Sequence, residues 1–239
     1  GAGHRHHQDG RQIAFQLGLD LKRTTVQQDS GSLHSGGPLT DPLVLGSEGR
    51  APSLTGDRFL SDLDSDGTQE SVPLPSSGTA FLVWDRNGDG VVNDGSELLG
   101  PSSGNGFAEL ATLDSDADQW VDGVDPGFAN LRVWRPGTGG PGDLQGLLQA
   151  GVGVLSTQKV ATPWRMVDDQ GGTSGQVRST GVYLSEAGGA GLLQQVDLAT
   201  SERAAGPVSS TRIPNAPTPH QASALPEKRR RTAKPPAPR

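Results

Sequence analysis

"LVWDRNGDGVVNDGSELLG", residues 82–100, decides how the rest of the chain is read. Asp85, Asn87 and Asp89 set an oxygen-bearing side chain at every second position, Gly90 follows, and Glu97 closes the stretch. Ca²⁺ takes about six to eight oxygen ligands in a flexible arrangement. A tight loop supplies them by turning alternate side chains inward, bending sharply at a glycine, adding a backbone carbonyl (here that of Val91), and closing with a carboxylate. An EF-hand places its closing acid at position 12, which is Ser96 in this stretch. The loop is therefore one residue long. Glu97 is expected to supply the bidentate carboxylate, with the extra residue absorbed at Asp94–Gly95, because glycine tolerates the backbone angles of a bulge.

Two further loops of this kind flank the first, here loop B. Loop A, "DLDSDGTQE", offers Asp62, Asp64, Asp66, the Thr68 carbonyl and Glu70, with Gly67 at the turn. This form resembles the short calcium loops of thrombospondin-like and integrin-type repeats. Loop C, "DSDADQWVDGVD", offers Asp114, Asp116, Asp118, the Trp120 carbonyl, Asp122 and Asp125. Its spacing is that of an EF-hand, with Gln119 in place of the turn glycine and Asp125 in place of the longer Glu. Asp, Asn, Ser and Gly favour turns with or without a cation. Three such loops between apolar segments nonetheless gather carboxylates that repel one another unless a cation is bound. The ligands are all oxygen, which points to Ca²⁺ rather than zinc or copper.

Composition agrees with a loop-rich protein. The chain has 239 residues, 35 of them Gly and 18 Pro, and only 32% hydrophobic residues, so its core is thin for its length. It has no Cys, which removes disulfides and thiolate metal sites. No apolar run is long enough to span a membrane. The net charge of −7 conceals an acidic body and a basic end.

The fold class expected is α+β: a compact domain with EF-hand-like calcium loops, short helices and β-hairpins, plus disordered termini. Residues 1–40 read as an N-terminal strand and linker, the first dozen irregular, then a period-two run over 13–26. Residues 41–199 read as the calcium-binding module. Residues 200–239 read as a disordered, basic, Pro/Ala-rich tail. Within the module, strands are expected at 41–45, 131–134, "VGVLS" and "KVATPW", and 79–85 is a buried strand or short helix. Helices are expected at 105–114 and at 142–151, the latter capped by Asp143 and stopped by Gly151. Pro126 stands at a first helical position. Residues 175–199 read as a hairpin turning at "EAGGAG".

Taken in order, "DPLVL", "FLSDLDSDG", the loop-B string, "LDSDADQWVDGVD" and "FANLRVW" resemble a bacterial EF-hand-like calcium-binding module, related to the calcium-dependent self-processing module of RTX-type secreted proteins. The shared pattern runs over residues 41–155, and 156–199 reads as a lineage-specific continuation. The resemblance implies an extracellular or secreted bacterial protein. It also implies a reaction: calcium orders the module, and the carboxyl of the Asp in Asp41–Pro42 attacks its own carbonyl to give a cyclic anhydride, which water or a lysine amine opens. Where self-processing relatives place another acidic loop, this chain has "LGSEGRAPSL" (45–54). The Asp41–Pro42 bond is therefore expected to survive Ca²⁺ at neutral pH.

Three readings of function follow: a structural calcium-binding module of a larger or secreted protein, calcium-dependent self-cleavage at Asp41–Pro42, and a calcium-dependent adhesion or interaction module. The other signals are weaker. His4, His6 and His7 lack supporting carboxylates. "KRRR" (228–231) lacks interleaved aromatics and gives no case for nucleic acid. Trp84, Trp120, Trp134 and Trp164 read as core or loop packing.

Overall fold

The computed structural model of the chain describes residues 2–6, 12–16, 40–47 and 49–202. The remainder of the 13–26 run, the linker over 27–39, His7 and the tail from 203 onward lie outside the described residues. The stretch 1–12 is not wholly irregular: β1 (Ala2–His6) pairs antiparallel with β2 (Gln12–Gln16).

The body is β rather than α+β. It comprises β3 (Leu43–Gly46), β4 (Leu54–Ser61), β5 (Glu70–Pro75), β6 (Thr79–Trp84), the short helix α1 (Gly106–Ala111), β7 (Trp120–Val121), β8 (Leu131–Gly137), β9 (Gly140–Gly146), β10 (Val152–Ser156), β11 (Val160–Val167), β12 (Thr173–Ser185), β13 (Ala190–Leu198) and β14 (Ser201–Glu202). One antiparallel sheet runs β7-β10-β12-β13-β3-β6-β8-β9, with β11 also paired to β12. A second, smaller sheet has the order β14-β5-β4. Ser201 and Glu202 pair with Ser71 and Glu70, so ordered chain continues past the expected start of the tail.

The helix expected over 142–151 is absent, and this is the main reason the α+β assignment fails. Gly140, Gly142 and Gly146 weaken any helix there. Gly142 has φ +78°, and a Cβ on it would lie 2.3 Å from the Arg135 carbonyl oxygen. The segment instead forms β9, with Trp134 opposite Leu144 and Arg135 opposite Asp143. The helical signal survives as a single turn, closed by Ala150 N–H to the Gly146 carbonyl at 3.0 Å.

The central strands are buried on both faces, so they read as continuous apolar runs rather than alternating ones. On one face Leu43, Leu45, Leu82, Leu131 and Val133 pack under Phe107 and Leu110 of α1. On the other, Val44, Phe81, Val83 and Trp134 pack under Leu54, Phe59 and Val72 of the β4–β5 hairpin. There Phe59 meets Trp134 edge-on, with ring centroids 5.6 Å apart. Burying each such side chain contributes roughly 1.5–3 kcal/mol. Of the other tryptophans, Trp84 carries the Arg86 guanidinium over its ring at 3.9 Å. Trp164, on β11, is 41% exposed and is not core packing.

The acidic loops are the joints of this framework. Loop A closes the β4–β5 hairpin, whose last pair is Ser61 opposite Glu70. Loop B leaves β6, and loop C follows α1 and leads into β7. Among the described residues none of the three lies between two α-helices; loop C, the nearest to that arrangement, runs from α1 through β7 to the 3₁₀ turn Pro126–Asn130.

Candidate metal centre

Loop A brings carboxylate oxygens of Asp62, Asp64, Asp66 and Glu70 within 4.8 Å of one another. The backbone holds them there. The Asp66 amide donates to Asp62 Oδ1 at 3.0 Å and to Asp64 Oδ1 at 3.3 Å. The Gly67 amide donates to Asp62 Oδ2 at 2.9 Å, and the Thr68 amide to Asp66 Oδ1 at 2.7 Å. Glu70 is buried and accepts the Leu63 amide through Oε2 at 2.8 Å. Burial pushes its carboxyl above the usual value; the Leu63 amide pulls it down, while Asp64 and Asp62 push it further up.

Loop C repeats this pattern atom for atom. Asp114, Asp116 and Asp118 lie within 4.8 Å of one another. The Asp118 amide donates to Asp114 Oδ1 at 3.1 Å and to Asp116 Oδ1 at 3.3 Å. The Gln119 amide donates to Asp114 Oδ2 at 2.8 Å, and the Trp120 amide to Asp118 Oδ1 at 2.9 Å. The fourth and sixth residues of each loop take left-handed angles: Ser65 (φ 59°) and Gly67 (φ 89°) in loop A, Ala117 (φ 58°) and Gln119 (φ 74°) in loop C. Gln119 thus adopts at some cost the conformation that Gly67 adopts freely.

The two loops differ at their closing end. Asp122 stands where Glu70 does, one methylene shorter, and its carboxyl is pushed up by burial against the Val124 amide, with Asp125, Asp118 and Asp116 adding to the rise. Asp125, expected as the twelfth-position ligand, is buried outside the three-carboxylate group. It accepts the Ser115 amide at 2.7 Å, the Ser115 hydroxyl at 2.8 Å and the Asp122 amide at 2.9 Å. It therefore takes over what Glu70 does for the Leu63 amide, and it starts the 3₁₀ turn Pro126–Asn130.

Loop B shares the turn but not the gathering. Gly88 (φ 73°) and Gly90 (φ 74°) supply the two left-handed positions. The Val91 amide donates to Asp89 Oδ1 at 2.9 Å, matching Thr68 and Trp120. The Asn93 side-chain amide bridges Asp89 Oδ2 at 2.9 Å and Glu97 Oε2 at 3.3 Å. That amide, then the Val91 amide, holds the Asp89 carboxyl below its usual value. Glu97 is only 4% exposed, and its Oε1 is buried with no hydrogen-bond partner. Asp85 is also buried and accepts the Gly88 amide at 2.8 Å. Asn93, which the sequence pattern did not single out, is the residue joining the two ends of this loop.

Gly95 has a different purpose from the one its neighbours suggest. Its φ is not positive; a Cβ there would lie 1.8 Å from the Leu63 carbonyl oxygen. The Gly95 amide donates to the Asp62 carbonyl at 2.7 Å, and Ser65 Oγ donates to Asp94 Oδ1 at 3.0 Å. Loops A and B are therefore pressed together at this glycine.

Asp41–Pro42 lies at the head of β3, in the middle of the sheet. The Asp41 side chain is buried; its Oδ2 accepts Gln195 Nε2 at 2.7 Å and lies 3.7 Å from Arg178. Arg178 also meets Asp197 at 2.7 Å. Burial pushes the Asp41 carboxyl up, Gln195 and Arg178 pull it down, and Asp197 pushes it up again. Gln195, Arg178 and Asp197 come from β12 and β13, distant in sequence, where no local pattern marked them.

The SPM domain family matches residues 45–199, and the chain belongs to that family. The match takes in the segment after 155 that had read as a lineage-specific continuation. The chain is also similar to the iron-regulated protein FrpA of Neisseria meningitidis serogroup C, 32% identical over 133 residues, which is 50% of this chain and 11% of that protein. The chain thus spans about a tenth of the length of that relative. Among the described residues no helix is long and apolar enough to cross a membrane.

Proposed function

We propose that the chain is a calcium-binding module of a larger, secreted bacterial protein, with loops A and C as its principal sites and loop B as a third. The observation that carries this reading is the repeated hydrogen-bond pattern of loops A and C, in which the same backbone amides fix three alternating carboxylates so that each offers an oxygen within 4.8 Å of the others. The donor set fits the ion. It is all oxygen, and in loop B a buried carboxylate oxygen of Glu97 lacks any partner from the protein. Asp62, Asp64, Asp66, Glu70 and the Thr68 carbonyl would hold a cation in loop A. Asp114, Asp116, Asp118, Asp122 and the Trp120 carbonyl would hold one in loop C. Asp85, Asn87, Asp89, Glu97 and the Val91 carbonyl would do so in loop B. The bound ion supplies charge neutralisation, and the chain's own amides orient the ligands.

The consequence is stability. A ligand at a hundred times its dissociation constant adds ~2.7 kcal/mol per site. Isothermal calorimetry with Ca²⁺ and Mg²⁺ tests the reading. Two or three calcium sites with weaker or no magnesium response are expected, and no calcium heat at all would end it.

A second reading, cleavage at Asp41–Pro42, is favoured by the burial of Asp41 and its contacts with Gln195 and Arg178, which a dipeptide merely starting a strand does not need. In that reaction the Asp41 carboxylate adds to its own carbonyl carbon, the bond to the Pro42 nitrogen breaks, that nitrogen takes a proton, and water opens the resulting anhydride. Mass spectrometry of the full chain after Ca²⁺ addition distinguishes the two readings, because only cleavage yields a fragment beginning at Pro42.

A further inference from the structure

The residues around Asp41–Pro42 connect it to the segment that joins loops B and C. That segment leaves Glu97, makes the turn 100–104, and enters α1, which ends at loop C. It touches the bond at three points. The Leu43 amide donates to the Leu99 carbonyl at 2.9 Å. Gly100, at φ +125°, packs so closely that a Cβ there would lie 2.1 Å from the Asp41 carbonyl oxygen and 3.0 Å from the Pro42 Cα. Gln195 Nε2 donates both to Asp41 Oδ2 at 2.7 Å and to the Gly104 carbonyl at 3.0 Å. From β13, the Val196 amide donates to the Pro42 carbonyl at 3.1 Å.

We propose that Gln195 is the positioning residue of the Asp41–Pro42 bond: its single amide nitrogen ties the Asp41 carboxyl to the turn 100–104, so that the state of loops B and C is felt at that carboxyl. Gln195 is only 2% exposed, and a leucine there would fill the space as well. What leucine lacks is the pair of donors, one for each side of the junction. The turn itself is short and closed, with the Gly104 amide on the Gly100 carbonyl at 2.8 Å. A displacement at either loop therefore has little slack to absorb it before Gly100 and Gly104 move. This inference rests on the calcium reading of loops B and C.

The test uses the full chain and Ca²⁺ alone. Carbon-detected NMR follows the titration of the Asp41 carboxyl with and without Ca²⁺, amide exchange follows Leu43, and calorimetry counts bound ions. In the natural sequence Ca²⁺ should shift the Asp41 titration and slow Leu43 exchange by about tenfold or more. Gln195→Leu should keep the calorimetric stoichiometry and lose the calcium-driven shift at Asp41, a readout that a purely space-filling role would leave in place. Gln195→Glu, of the same size but unable when ionised to donate, should do the same, and it serves if the leucine variant does not fold. A calcium-driven Asp41 shift that persists in either variant overturns the proposal. So does an Asp41 titration that ignores Ca²⁺ in the natural sequence while calorimetry shows the ion bound. Absence of any calcium heat would remove the calcium reading and the proposal together, and is distinguishable from both.

Discussion

Asp62 and Asp114 accept the same pair of backbone hydrogen bonds, from the amides of the fourth and fifth residues that follow each of them. One loop closes a hairpin between β4 and β5, and the other links α1 to β7. Their common geometry therefore comes from the alternating acids and the two left-handed residues between and after them, not from the elements on either side.

Gln119 should be a cost that loop C carries and loop A does not. It sits at φ 74°, where Gly67 sits at φ 89°. Left-handed angles cost a residue with a Cβ roughly 1–2 kcal/mol. A Cβ on Gly67 would meet nothing within 4 Å, so only this backbone term operates. In chelator, Gln119→Gly should raise unfolding stability by ~1 kcal/mol and Gly67→Ala should lower it by a similar amount. Urea denaturation midpoints measure both, and equal, near-zero shifts would contradict the argument.

Gly95→Ala should damage loops A and B together. The added Cβ would meet the Leu63 carbonyl, and the flanking amide bonds Asp62 within loop A. Overpacking of this kind costs roughly 1–3 kcal/mol. Calorimetry should show two weakened calcium sites and one intact one. A loss confined to a single site would mean the loops act separately.

Asp41 should make stability fall as pH rises. Its folded-state affinity for a proton exceeds that of the unfolded chain, whose carboxyl keeps the usual value near 3.8. The folded state therefore binds more protons above that value, and stability drops as pH climbs from about 4 through the raised folded value. Glu70 and Asp122 carry the same sign. Asp41→Asn isolates one contribution, because the asparagine carbonyl still accepts from Gln195. In chelator, the variant should gain on the natural sequence as pH rises and match it more closely near pH 3. A difference independent of pH would show that burial does not govern this carboxyl.

The parts of the fold legible in the sequence were those whose local pattern matched their final environment. "TAFLVW" is a continuous apolar run because β6 is buried on both faces, and the turn at "EAGGAG" joins β12 to β13 as read. The helix expected over 105–114 forms as α1, where Asn105 caps it by accepting the Ala108 amide. The β9 strand was not legible, since its first four residues are exposed and nothing alternates along it; pairing to β8 outweighs a helix-like spacing of leucines. β4 was missed for a related reason: its pairing with β5 shifts register between Leu54 and Arg58, which breaks the period of two. At the candidate site, the alternating acids announced loops A and C. Asn93 and Gln195 did not announce themselves, because their partners are set by tertiary contact rather than spacing.

The stretch over 82–100 carries the last expectation. Glu97 is buried, and one of its oxygens is engaged with Asn93 while the other has no protein partner. Ser96 bonds Asp94 through both its hydroxyl and its amide, the latter on Oδ1 at 2.8 Å, and its carbonyl receives Arg86 Nε at 3.0 Å. Alanine keeps the two backbone bonds and loses only the hydroxyl's bond to Asp94, a group outside the loop-B ligand set. Glutamine at 97 keeps the size and the acceptor for Asn93 but removes the charge that a cation requires. Glu97→Gln should therefore weaken one calcium site by at least ~tenfold, and Ser96→Ala should change none measurably. Calorimetry on each variant of the full chain reads the difference. Equal losses, or a greater loss at Ser96, would mean that loop B is closed by another group. Asp94 is the nearest alternative, yet its Oδ1 already receives Ser65 and the Ser96 amide. The Ser96 hydroxyl first, then the Ser96 amide and Ser65, hold its carboxyl low, and Ser65 ties one oxygen toward loop A, so Glu97 is the group left with an oxygen to give.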